Sequence, residues 1–121
     1  RRAGLDSALV DYEREIEWLE GLAKYAELAS WHQAAVSEDY LPLTEMDADR
    51  DFAHYRNFSQ HSQQEMQQMR RQATLAGDVR FYYTGAVQGL VLDRLLPGWK
   101  ERALGEGVYL EELLQEAVGD L

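Results

Sequence analysis

Glu20 is the side chain in this sequence best placed to do chemistry. It lies in Trp18-Leu-Glu-Gly-Leu-Ala-Lys-Tyr-Ala-Glu27, at the border of an apolar helical stripe. A carboxylate there wants a partner, which can be an arginine, a lysine or a metal. Lys24 stands four residues on, the favourable order for a helical ion pair, so the residues alone favour a Glu20–Lys24 surface pair. A second constellation is His54, Phe58, His61 and Glu65, spaced i, i+4, i+7 and i+11 on one face of a helix. His61 and Glu65 could chelate a metal together. Two ligands make a weak site, however, and His54 is two turns away. The expectation is adventitious metal or none, leaving a contact that titrates near neutral pH. The chain has no cysteine, which removes thiolate chemistry, disulfides and cysteine-based zinc sites. No Ser–His–Asp motif and no glycine-rich phosphate loop is present. Asn57-Phe58-Ser59 fits a glycosylation acceptor, but so common a pattern carries no weight.

Helices must position these groups. Leu5, Leu9, Tyr12, Ile16, Leu19, Ala23 and Ala26 recur at spacings of 4, 3, 4, 3, 4 and 3, which predicts a helix from Ser7 to Ala35, with Asp6 or Ser7 as its N-cap. Glu13, Glu20 and Glu27 run beside that stripe. Trp18, Leu22 and Tyr25 lie on other faces, so the helix is apolar more than one way round and should be packed on several sides. Gly21, inside this helix, costs about 1 kcal/mol relative to alanine. Its presence predicts a close approach to the backbone, most simply by another helix.

Residues 36–48, with Pro42, read as a loop pinned to the body. A second helix is expected over Asp49 to Ala76, its inward face formed by Phe52, Tyr55, Ser59, Ser62, Met66, Met69, Ala73 and Ala76. Gly77 and Asp78 then stop one helix and start the next. The third helix, Val79 to Leu96, is apolar round most of its circumference and reads as the central one, with Gly85 and Gly89 admitting a neighbour. Pro97-Gly98 ends it and Trp99-Lys-Glu-Arg begins a short turn. The last helix spans Tyr109 to Val118. The expected fold is an all-α bundle of about four helices, forming a single domain over residues 1–121.

A chain of 121 residues can bury one modest core. Its 22 acidic residues outnumber 12 basic ones for a formal charge of −10, which disfavours nucleic acid as a partner. No apolar run is long enough for a membrane span, and no targeting segment is recognisable. The opening Arg1-Arg2, without an initiator methionine, suggests part of a larger protein.

The string Glu20-Gly-Leu-Ala-Lys-Tyr25 resembles the Glu-Gly-x-Ala-x-Tyr segment of bacterial gluzincin-type zinc metallopeptidases. Phe81-Tyr-Tyr-Thr-Gly-Ala-Val, Leu92-Asp-Arg, Pro97-Gly-Trp-Lys-Glu and Leu110-Glu-Glu-Leu-Leu are similar to the C-terminal helical region of such enzymes. The resemblance touches the first, third and fourth predicted helices and not the second. It implies that Glu20 is the third zinc ligand and that Gly21 lets the helix carrying the other ligands approach. It implies too that Tyr82 or Tyr83 stabilises the oxyanion of the tetrahedral intermediate. The departure is large. The family's His-Glu-x-x-His, which carries two ligands and the general base, is absent: His32, His54 and His61 have no histidine partner at i+4. Under the resemblance the chain is the C-terminal helical part of a zinc peptidase, supplying one ligand and part of a peptide-substrate cleft, and inactive without an N-terminal catalytic half. The alternative is a non-enzymatic helical module that binds a partner or itself. Either way the first helix should present an apolar groove or a homodimer surface.

Overall fold

The computed structural model describes residues 4–72 and 74–119. The first helix, α1 (Ser7–Val36), begins where the Asp6 carboxylate accepts a hydrogen bond from the Ala8 amide at 2.9 Å. A 3₁₀ turn over Thr44–Ala48 and a short helix α2 (Arg50–Tyr55) follow, the latter capped by the Asp49 carboxylate on the Asp51 amide. Then come α3 (Phe58–Gln72), α4 (Val79–Leu95), α5 (Trp99–Gly105) and α6 (Leu110–Gly119). No strand occurs among the described residues. The fold is the expected all-α bundle. Its long members are α1, α3, α4 and α6, and α4 packs against the other three.

The expected second helix is two helices. Arg56 and Asn57 interrupt it, and Asn57 starts α3 afresh: its side-chain oxygen accepts from the Gln60 amide at 3.0 Å, and its carbonyl accepts from the His61 amide. The break resets the helical register, so the inward face drawn through one continuous helix is displaced. Met69 is buried as expected, but Met66 is 47% exposed, while His61, Glu65 and Gln68 are half-buried. Ala73 lies outside the described residues.

Chain reversals fall where glycine permits them. Gly77 (φ 99°) and Gly98 (φ 83°) both occupy the left-handed region, ahead of α4 and α5 respectively. Asp78 precedes α4 but does not cap it with its side chain; its carboxylate accepts the Tyr12 hydroxyl at 3.0 Å instead.

α1 and α4 meet backbone to backbone. Gly21 of α1 lies against Gly85 of α4. A Cβ on Gly21 would stand 2.5 Å from the Gly85 Cα, and one on Gly85 would stand 2.6 Å from the Gly21 Cα and closer still to the Glu17 carbonyl. One turn further along α4, a Cβ on Gly89 would strike the Tyr25 ring at 2.8 Å and meet Trp99 at 3.2 Å. The partner over Gly21 is therefore α4 of this same chain. That corrects the role the family resemblance implied for this glycine.

This crossing decides which face of α1 turns inward. Glu17, Gly21, Tyr25 and Leu28 are buried. The long apolar stripe is outside: Leu5, Leu9, Tyr12 and Leu19 are 46–57% exposed, and Ala23 and Ala26 are exposed too. The core is instead built from Tyr25, Leu28, Met69, Ala86, Leu92, Trp99, Ala103, Leu110, Leu113 and Ala117. Glu17 is a carboxylate inside the helix crossing, 8% exposed, and takes the Thr84 hydroxyl hydrogen at 2.5 Å. Ion pairs bind the other helices to α1: Lys24 to Glu65 of α3 at 2.7 Å, Arg80 of α4 to Glu13 at 2.9 Å, and Arg14 to Glu111 and Glu112 of α6.

Gly85→Ala must separate two backbones, so overpacking outweighs the gain of about 1 kcal/mol in helix propensity, and a net loss of about 2–3 kcal/mol is expected. Gly105→Ala, whose Cβ would meet nothing within 4 Å, should be neutral or stabilising by up to about 1 kcal/mol. Urea unfolding of both variants measures the contrast. Asn57→Ala should cost about 1 kcal/mol in the same assay through loss of the α3 cap.

Candidate functional site

Glu20 sits half-buried on α1, one residue from the crossing glycine, beside the exposed Leu19. Its partner is on α4. The phenol of Tyr82 lies near the Glu20 carboxylate, and the pull of that carboxylate on its proton, then slight desolvation and the negative charges of Glu20 and Asp78, raise it above its ordinary value.

The pair expected from α1 alone, Glu20 with Lys24, does not form. Lys24 turns the other way, to Glu65 at 2.7 Å and Glu27 at 3.1 Å. Burial works against its charge, but hydrogen bonds to Glu65 and Glu27 prevail and raise it. Lys24 also faces the Tyr83 ring, 5.6 Å from its centroid. Burial first, then the nearby Glu65 carboxylate, pushes the Tyr83 phenol up. The two adjacent tyrosines therefore serve different neighbourhoods, as a rotation of about 100° per helical residue requires. Tyr82 joins Glu20, and Tyr83 joins Lys24 and Glu65.

The constellation around His61 is aromatic in character. His61 packs edge-on to Trp31, with ring centroids 3.9 Å apart, and to Tyr55 at 4.6 Å, while His54 is 6.4 Å away. Glu65 is paired with Lys24 at 2.7 Å. Among the described residues no group of three His, Asp or Glu side chains could hold a metal ion.

A further network escaped sequence reasoning. Asp93 of α4 accepts the Tyr25 hydroxyl at 2.7 Å and the Trp99 indole N–H at 3.1 Å, and pairs with Lys100 at 2.8 Å. Tyr25 and Trp99 meet edge to face at 5.2 Å. Burial pushes the Asp93 carboxyl up, yet hydrogen bonds from Lys100, Tyr25 and Trp99 outweigh it and hold the group below its ordinary value. Lys100 is correspondingly pushed up to about 12, by its hydrogen bonds to Asp93 and then Tyr25. The only sequence signal was an acid inside the apolar α4, seven residues before a lysine.

Beside this network lies an apolar groove of about 330 Å³. One wall is Trp18, Leu19, Leu22, Ala23 and Ala26 of α1; the other is Trp99, Lys100 and Leu104 of α5, with Tyr25 between them. Leu19, Ala23 and Ala26 also belong to the exposed stripe, so groove and stripe form one continuous apolar face. The apolar groove expected along the first helix is present.

No protein-family model, curated protein or solved structure matches this chain. No helix among the described residues is long and apolar enough to cross a membrane.

The Asp93–Lys100 pair gives stability a signed pH dependence. The depressed Asp93 contributes stability that is present above its unfolded value of 3.8 and lost as pH falls through its lower native value. The raised Lys100 contributes stability present below 10.5 and lost as pH rises through about 12. Asp93→Asn should lower the urea midpoint at neutral pH, and the gap from the unaltered chain should shrink both below pH 3.8 and above pH 10.5. A gap constant across that range would rule out the carboxylate charge as its source.

Proposed function

We propose that this chain is the helical part of a gluzincin-type zinc peptidase, in which Glu20 gives one carboxylate to a metal whose two histidines lie outside these residues. The observation that carries the reading is a half-buried Glu20 with no cation partner among the described residues, at the edge of an apolar face that the chain's own helices leave open. The Glu20-Gly-Leu-Ala-Lys-Tyr25 string supports it. A catalytic zinc takes three protein ligands, and this chain offers one at that place, so its own donor set does not fit the metal. The part this chain plays is positional. α4 fixes the backbone beside Glu20 through Gly21 and Gly85. Tyr82 orients the carboxylate and holds a proton ready to donate to an oxyanion in the same cleft.

The specific observation favouring a second reading, a non-enzymatic helical interaction module, is the length of the uncovered stripe. It runs well beyond the surroundings of Glu20, back to Leu9.

The deciding material is the protein made from the complete coding sequence. Under the peptidase reading that sequence encodes His-Glu-x-x-His before Arg1, and the purified protein carries one zinc per chain by elemental analysis. Glu20→Ala removes the zinc. Tyr82→Phe keeps it and lowers peptide hydrolysis by about 10²-fold. The 121-residue chain alone retains no stoichiometric zinc after gel filtration. A coding sequence without His-Glu-x-x-His, or zinc content unaffected by Glu20→Ala, overturns the peptidase reading.

A further inference from the structure

The exposed face of α1 has a heptad register. Spacings of 3 and 4 place Leu9, Ile16 and Ala23 at a positions and Tyr12, Leu19 and Ala26 at d positions. The buried Glu17, Gly21, Tyr25 and Leu28 fall at b, f, c and f, on the opposite side of the same helix. α1 thus spends one face on the fold and keeps a second, with the pattern of a coiled-coil seam, open to solvent along five turns, with Ile16 half-buried and α5 forming a side wall beside Leu19, Ala23 and Ala26.

The flanks of that seam are acidic. Asp6, Glu13, Glu20 and Glu27 hold the e positions and Glu15 a g position. The two basic side chains of α1, Arg14 at f and Lys24 at b, turn inward to Glu111 and Glu112 and to Glu65 and Glu27. Arg80 reaches Glu13 from α4, and Lys100 at the groove is engaged by Asp93. Among the described residues Glu15 and Glu20 have no cation partner. A second copy of α1 fits poorly: antiparallel pairing sets one e-position glutamate line against another, and parallel pairing sets Glu15 against Glu20 of the other copy. The formal charge of −10 opposes self-association further.

We propose that the α1 seam is the docking site for an amphipathic helix from outside these residues, with apolar residues at a and d and lysine or arginine at e and g. The apolar seam enters between Leu9 and Ala26, and the basic flanks neutralise Glu15 and Glu20. The proposal goes beyond the zinc reading and does not need it.

The test uses the 121-residue chain and two labelled peptides of four heptads, both with leucine at a and d, one with lysine at e and g and one with glutamate there. Fluorescence anisotropy at physiological salt should show the lysine peptide binding at least 10-fold tighter than the glutamate peptide. The double variant Leu9→Glu, Leu19→Glu should lose at least 10-fold for the lysine peptide although it gains two negative charges. Both leucines are more than half exposed, so the variant should keep its helix content by circular dichroism. Glu15→Lys, a change at an exposed position, should narrow the preference between the peptides in the otherwise intact chain. Unchanged binding to the double variant means charge attraction alone and overturns the proposal, as does absence of binding to the unaltered chain. A dimer in light scattering that the double variant breaks up overturns it in favour of a second copy. Glu20 is unaltered throughout, so these results and the zinc measurements stand or fall separately.

Discussion

Two helices of this protein touch backbone to backbone, and that contact sets everything around it. Gly21 and Gly85 face each other at a separation that admits no Cβ on either. Ordinary helix packing interposes side chains and keeps axes about 8–10 Å apart. Removing both side chains lets α1 and α4 sink together, which brings Thr84 onto the carboxylate of Glu17 and Tyr25 onto Gly89 and Trp99. A carboxylate buried so deeply is costly unless its oxygens find donors. Glu17 is tolerated because the same close approach delivers the Thr84 hydroxyl. The crossing and the polar contact inside it are one feature.

The crossing also explains why an acidic chain presents so apolar a surface. The face of α1 that carries Gly21 is the one α4 can approach closely, and it lies opposite the leucine stripe. Apolar periodicity asks for the stripe to be buried; backbone access asks for the glycine face. The second prevails within the chain because the glycine face also carries Tyr25 and Leu28, which reach the core around Trp99 and Leu92. Arg14 and Lys24 follow that face inward, leaving the outer face with leucines and acids. Hydrophobic burial therefore remains unfinished on the outer face of α1, beside a line of acidic side chains.

Much of the fold was legible in the sequence, and the reasons are local. Asp6, Gly77 and Pro97-Gly98 mark helix ends through capping and backbone conformation, which need no tertiary knowledge. Gly21, Gly85 and Gly89 announced close approach because glycine in a helix interior is disfavoured. The direction α1 faces was not legible, since the stripe and the glycine face are both amphipathic signals and only packing chooses between them. The break at Asn57 was hidden because Phe52, Tyr55 and Met66 continue an apparent helical period across it. At the candidate site, residue type pointed to Glu20 and to two adjacent tyrosines. Only the rotation of α4 against α1 separates Tyr82, on Glu20, from Tyr83, on Lys24 and Glu65. Asp93 lay outside reach because its three partners, Tyr25 of α1 and Trp99 and Lys100 of α5, meet it only through the packing of three helices.

These constraints bear on what Glu20 can do. The helix that carries Glu20 is fixed against α4 at the next residue, which sets the Glu20 backbone beside the Tyr82 turn of the same α4. The crossing also keeps Lys24, its nearest cation in sequence, on the α3 side, where Glu65 retains it. The backbone of Glu20 is thus held in place, and the lysine nearest to it in sequence is engaged elsewhere. It faces outward beside an apolar surface that nothing in these residues covers. For a surface ion pair that arrangement has no purpose. In either proposed role, as a ligand to a metal or as a contact for the lysines of a docking helix, a fixed backbone without an internal counter-ion favours binding, because part of the cost of ordering the group is already met by the fold.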